Sequence, residues 1–125
     1  MVAFLYERMA VDAAPRAVVD ALRDLLRERG ITEYAVVDHG HDMAAVGQAA
    51  YPAWTLVFGN PAAGARLLAL DLAAAVDIPL RLAVIGHDHG SEIVLRNMRT
   101  LLDDAIADDF TDVLRGLAEA ARDRL

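Results

Sequence analysis

The sequence has no cysteine, no lysine and a single serine. Without cysteine there is no disulfide, no thiolate metal site and no cysteine nucleophile, a composition that suits a reducing interior. Without lysine there is no Schiff base, no lysine general base and no P-loop lysine. The lone serine, Ser91, falls in an expected hairpin with no nucleophile elbow, so no Ser/His/Asp triad can be proposed. No uncharged apolar run approaches the roughly 18 residues that span a bilayer. Met1 to Tyr6 is apolar but short and lacks a basic n-region, so it does not read as a signal peptide. The expectation is a soluble cytoplasmic protein with no membrane partner.

All 12 basic residues are arginine, against 19 acidic residues, for a net charge of −7. A nucleic-acid backbone needs clustered positive charge, so the balance argues against DNA or RNA. The densest arginine stretch, Arg23 to Arg29, is interleaved with Asp24 and Glu28 and reads as a solvated helix face. A chain of 125 residues, 56% of them apolar, is sized for one domain spanning residues 1–125 with a real core.

Periodicity then orders the elements. Val2 to Ala10 suggests a first strand, and Asp12 with Pro15 a helix start. Apolar residues recur at Val18, Ala21, Leu22, Leu25 and Leu26, the spacing of an amphipathic helix, with Gly30 as its stop. Arg16/Asp20 and Asp20/Arg23 are available as helix-surface pairs. A strand is expected over Ile31 to Val37, a short helix over Met43 to Ala50, and a buried strand over Trp54 to Phe58. A helix follows from Ala62 to about Val76. Leu80 to Ile85 and Ser91 to Arg96 form a hairpin about His87-Asp88-His89-Gly90. Asn97 to Ala107 is ambiguous. A last helix runs to about Arg124, with Ile106, Phe110, Val113, Leu114, Leu117 and Ala121 on its apolar side. The order β-α-β-(α)-β-α-β-β-α predicts one sheet with helices packed on it.

Four polar groupings could carry chemistry. Asp38-His39-Gly40-His41-Asp42 holds two imidazoles and two carboxylates in five residues, enough for an acid/base pair or, through His39 and His41, metal ligation. The plainer alternative is a polar loop in which Asp38 or Asp42 caps the next helix. Gly59-Asn60-Pro61-Ala62-Ala63-Gly64 sits at a strand-to-helix junction, where free N–H groups attract anions. Asn at the N-cap with Pro next is also an ordinary helix start. The Walker pattern fails there, because Ala65 and Arg66 stand where Lys and Ser/Thr would be. His87-Asp88-His89 reads as hairpin punctuation. Arg81 and Arg96, on expected strands, could clamp a carboxylate or phosphate, or pair with Asp71 or Asp77. Trp54, Phe58 and Phe110 read as core.

The pieces Val37-Asp38-His39, Ala44-Ala45-Val46-Gly47, Pro52, Leu56-Val57-Phe58-Gly59-Asn60-Pro61, Gly64, Leu68, Val76-Asp77-Ile78-Pro79-Leu80 and Asn97 resemble, in order and spacing, the domain-of-unknown-function 302 family. The resemblance implies a two-layer α/β (α+β) sandwich of the TATA-box-binding-protein-like class, β-α-β(4)-α with an additional short helix. It supplies no catalytic residue. It does mark Asp38, His39, Gly59, Asn60, Pro61 and Asn97 as motif positions. This chain departs from the family's Thr-Pro with Ala65-Arg66, and from its Tyr-Asn-Asp-Pro with Arg96-Asn97-Met98-Arg99. Arg66 and Arg96 would turn this member towards an anion.

The functional expectation is a domain that binds a small molecule, anion or metal where the His39 loop meets the Asn60 helix start. Asp38, His39, Gly59, Asn60 and Asn97 are the candidate ligand-binding residues. In an enzyme, His39 would be the general acid/base, oriented by Asp38 or Asp42, with Asn60 and nearby N–H groups holding an oxyanion. No cofactor can be named from the sequence. The alternative is a non-catalytic homodimeric interaction module using a sheet edge or helix face, with the same motifs acting as caps.

Overall fold

The stripe from Val18 to Leu26 predicts a helix with one buried face. The computed structural model, which describes residues 5–125 with the side chain of Asp104 excepted, contains it as α1, Pro15–Glu28. Its buried residues are those five and Val19. Gly30 follows at φ +66, a left-handed conformation that favours glycine over residues with a Cβ. The expected pairs of Asp20 with Arg16 and Arg23 do not form. Arg23 reaches across to Glu33 on the next strand, at 2.8 and 3.2 Å. Arg16 lies over the Trp54 ring, 5.8 Å from its centroid.

Five strands follow the expected order: β1 Tyr6–Val11, β2 Thr32–Asp38, β3 Ala53–Gly59, β4 Leu80–His87 and β5 Gly90–Arg96. Residues 2–4 of the expected first strand lie outside the described residues. The sheet order is β1-β5-β4-β3-β2 and every pairing is antiparallel. β1 and β2, joined by α1, are therefore at opposite edges. Fourteen residues of helix reach about 21 Å, and four strand spacings are about 19 Å, so α1 has the length to cross the sheet once. Near Tyr34 the register of edge strand β2 slips by one residue. An irregularity of this kind discourages pairing with a foreign strand.

One face of the sheet is covered. α1 and the last helix, α4 (Asp104–Arg124), pack on Met9, Val11, Leu56, Phe58, Leu80, Leu82, Val84, Ile93 and Leu95. The buried stripe of α4 is Ala107, Thr111, Leu114, Leu117, Ala118 and Ala121. It is thus rotated away from the expected Ile106/Val113 side, and Val113 is 46% exposed. Thr111 makes the rotated stripe workable. Its hydroxyl accepts from the Met98 N–H (3.1 Å) and donates to the Ala107 carbonyl (2.9 Å). Two bidentate ion pairs flank the layer: Arg124 with Glu28 of α1, and Arg115 with Glu7 of β1.

Alternation along the strands puts Tyr6, Arg8, Thr55, Val57, Arg81, Ala83, Ile85, Glu92, Val94 and Arg96 on the opposite face, away from α1 and α4.

The connections hold two corrections. The Asp38-His39-Gly40-His41-Asp42 segment is not a loop ahead of a helix. It enters the helix α2, His39–Ala45, directly, four residues earlier than the expected Met43 start. The expected helix to Val76 is broken. α3 spans Pro61–Leu70, Asp71 takes an extended conformation and accepts from the Ala73 N–H, and a 3₁₀ turn covers Leu72–Val76. A short Asp side chain competes well for a nearby N–H, which favours helix ends over helix interiors. The hairpin is as expected, with Asp88 and His89 as its two-residue loop between paired His87 and Gly90. Among the described residues no helix is long and apolar enough to cross a membrane.

Candidate functional site

Antiparallel pairing decides where the candidate residues fall. In the β2–β3 register, Asp38 faces Trp54 and Thr32 faces Gly59. His39 therefore sits at the beginning of β3 and Asn60 just past its end. Five residues of strand separate Thr55 from Asn60, about 17 Å. His39 and Asn60 do not meet, and the single pocket expected between their loops is not formed. Loops after sequential antiparallel strands lie at opposite ends of the sheet, which sequence spacing alone does not reveal.

At the His39 end the chemistry is modest. The Asp38 carboxylate accepts from the His41 N–H at 2.9 Å and so caps α2. The His39 ring does not rest on Asp38 or Asp42. Its Nε2 lies 2.7 Å from the Thr55 hydroxyl on the open face. The His41 side chain is exposed. No group of three or more His, Cys, Asp or Glu placed to hold a metal occurs among the described residues. Ser91 is buried and donates to the Ala13 carbonyl at 2.6 Å, a structural tie between β5 and the start of α1.

Asn97 also caps. Its side chain accepts from the Arg99 N–H at 3.1 Å, at the head of a 3₁₀ turn, Met98–Thr100.

The Asn60 end is different. Asn60 accepts from the Ala62 N–H at 3.0 Å, Pro61 has no N–H, and the Gly64 N–H bonds the Asn60 carbonyl at 2.9 Å. These first-turn positions are thus committed, and the helix start is not a bare anion cradle. Gly59 and Asn60 instead line a cleft of about 780 Å³. Phe58, Leu80, Ile31, Ile78, Leu68 and Phe110 give it apolar walls, and Val113 of α4 borders it. Gly64 brings α3 against the wall at Ile78, where a Cβ would make an ordinary contact at 3.7 Å. Polar groups are few: Asn60, Tyr34, Arg29 and Arg66.

The arginines stand apart from the rest of the molecule. Seven of the twelve pair with a carboxylate: Arg8, Arg23, Arg27, Arg99, Arg115, Arg122 and Arg124. Among the described residues, Arg29 and Arg66 have no carboxylate within 4 Å. The sequence pointed to Arg66 through its departure from the family pattern. It gave Arg29 as part of a solvated helix face, and Phe110 as core. Tyr34 carried no signal at all, because the slip in β2 that accompanies its exposure is a property of strand pairing.

A single antiparallel sheet with helices on one face, and an apolar cleft at one end, define a small two-layer α+β sandwich. The chain belongs to the family described as domain of unknown function DUF302, whose family model matches residues 7–125. It is similar in structure to an uncharacterized conserved DUF302 protein from Bacillus stearothermophilus, known from a crystal structure. The TM-score is 0.86 at 20% identity, covering 94% of this chain and 98% of that one. At that identity the likeness is one of fold. No curated protein matches the chain.

Proposed function

We propose that this protein binds a small molecule with an apolar body and one acidic head group in the cleft beside Asn60. The observation that carries the reading is the pairing of an apolar cleft of ligand size with two arginines that, among the described residues, have no carboxylate within 4 Å. Nineteen acidic residues surround twelve arginines, so an arginine left unpaired at a concave apolar surface is available to an incoming anion. Leu68, Ile78 and Phe110 would cover the apolar body. Arg29 and Arg66 would hold the head group, and Tyr34 would add a hydroxyl. The compartment we propose is the cytoplasm, the setting that a chain free of cysteine suits. Binding is the activity proposed.

The test is calorimetric titration with octanoate and with benzoate, matched against octanol and benzyl alcohol. The acids are expected to bind and the alcohols to bind at least about tenfold more weakly, the worth of one charge-assisted hydrogen bond. Arg29→Gln with Arg66→Gln should remove the preference for acids. Val113→Trp, at an exposed position bordering the cleft, should block both series. Equal binding of acids and alcohols, or binding unaffected by Val113→Trp, would rule the reading out.

A second reading has one observation in its favour. Val57, Ala83, Ile85 and Val94 form an apolar band on the face of the sheet away from α1 and α4. A second copy of the chain packed there would make the protein a homodimeric module. Light scattering at high micromolar concentration separates the two, since a monomer counts against the dimer.

A further inference from the structure

We propose a second anion site, on the face of the sheet away from α1 and α4, in which Arg81 and Arg96 together take a phosphate group. The inference is separate from the cleft, which lies on the covered face.

Register carries it. Leu82 pairs with Leu95 at the end of the β4–β5 ladder, so Arg81 and Arg96 come just beyond that last pair, on neighbouring strands and on one hollow. Both point away from the helices, because their neighbours Leu80, Leu82 and Leu95 belong to the buried core. Strands are about 4.8 Å apart, and like charges directly opposite each other are unfavourable. Among the described residues no ion pair relieves this pair: neither guanidinium has a carboxylate within 4 Å, although seven other arginines do. Arg96 is held by an aromatic face instead, 5.2 Å from the Tyr6 centroid, and Tyr6 is its rung partner on β1. Stacking fixes the guanidinium plane and leaves its N–H edge free to donate.

The surface there is not flat. Arg81, Arg96, Tyr6, Thr55, Asp77 and Met98 border a hollow of about 170 Å³. Two planar forks at strand spacing suit a tetrahedral group with several acceptor oxygens, which each fork can grip by two N–H groups. Asp77 is the one carboxylate in the lining. It forms no ion pair there, and it trims the positive charge of the site without cancelling it.

The probe is inorganic phosphate, titrated at constant ionic strength against chloride and followed through backbone amide NMR shifts. The amides of Tyr6, Arg81 and Arg96 should shift together and saturate. Arg81→Gln, at an exposed position, should weaken binding at least tenfold. Asp77→Asn should tighten it several-fold. The Arg29→Gln/Arg66→Gln variant should leave it unchanged, so this site and the cleft stand or fall independently. Phenyl phosphate binding more tightly than phosphate at the same amides would identify a phosphorylated small molecule as the ligand class; equal binding would identify the free ion. Shifts that do not saturate, that ignore Arg81→Gln, or that vanish because a second copy covers this face would overturn the proposal.

Discussion

Replacing Asn60 by alanine tests whether that residue is a cap, a cleft wall or both. Asn60 Oδ1 accepts from the Ala62 N–H at 3.0 Å, and loss of such a cap costs about 1 kcal/mol. A domain of 125 residues gains roughly 260 cal/mol/K on melting, so a global loss of that size lowers Tm by about 4 °C. α3 is not firmly part of the global unit, however. Of its ten residues only Leu67 is buried, and a helix that short is marginal alone. We therefore expect the loss to appear first as local opening. Amide exchange in α3 should rise about fivefold, the equivalent of about 1 kcal/mol, while the Leu56 and Ile93 amides keep their protection. Asn60→Asp should restore the exchange rates, because Asp caps as well as Asn. It should still weaken octanoate binding, by setting a carboxylate among the arginines of the cleft. Unchanged exchange in α3 of Asn60→Ala would refute the capping argument, and full acid binding by Asn60→Asp would refute the electrostatic one.

Three further outcomes follow from the packing and the charges. Thr111→Val keeps the shape of the side chain but leaves the buried Met98 N–H without its acceptor. A cost of about 1–3 kcal/mol is expected, or about 4–12 °C in Tm by calorimetry, with Thr111→Ser largely spared. Gly90→Ala places a Cβ at φ +146 and 2.8 Å from the Val11 carbonyl oxygen, so the urea midpoint should fall by the equivalent of about 1–3 kcal/mol. Acid should weaken the fold through Glu28 and Asp108, whose carboxyls are held below the usual range first by hydrogen bonds from Arg124 and Arg99. A depressed native pKa contributes stability above the unfolded value, about pH 4, and loses it as pH falls through the native one. Stability should thus be level from neutral pH to about 5 and drop below about 4, with a shallower drop in Glu28→Gln/Asp108→Asn.

Local chemistry was legible in the sequence where it was decided locally. The α1 stripe, the Gly30 stop, the Asn60-Pro61 helix start and the His87–Gly90 hairpin depend on residues close in the chain. The capping alternative given for Asp38 and for Asn60 is what both side chains do. What failed was decided at a distance. Strand pairing, not loop composition, sends His39 and Asn60 to opposite ends of β3. The β4–β5 hairpin, by contrast, was expected, and it brings Arg81 and Arg96, already candidates for an anion clamp, to one hollow across fifteen positions of sequence. The α4 stripe was misread because Ile106 and Val113 are more apolar than Thr111, yet the Thr111 hydroxyl has partners inside and Val113 borders the cleft. Asp71 broke a run of helix formers through a hydrogen bond of its own, which a periodicity count cannot weigh.

The pairing of β1 with β5 has a consequence for how the chain acquires its structure. Strands β2 to β5 form a meander of neighbours and can associate as each hairpin closes. β1 must wait for the last of them, because its partner rungs run from Tyr6–Arg96 to Val11–Ser91. The loop that closes then holds most of the chain, and the Glu7–Arg115 and Glu28–Arg124 ion pairs span still longer separations. Such non-local contacts slow folding, since loop entropy is lost before they form. During synthesis β1 would stay unpaired until β5 has emerged, and α1 would have only a partial surface to cover until the α4 sequence follows. Substitutions in the β1–β5 seam should therefore act mainly on the unfolding rate, while those in the β3–β4–β5 meander change the rate of folding.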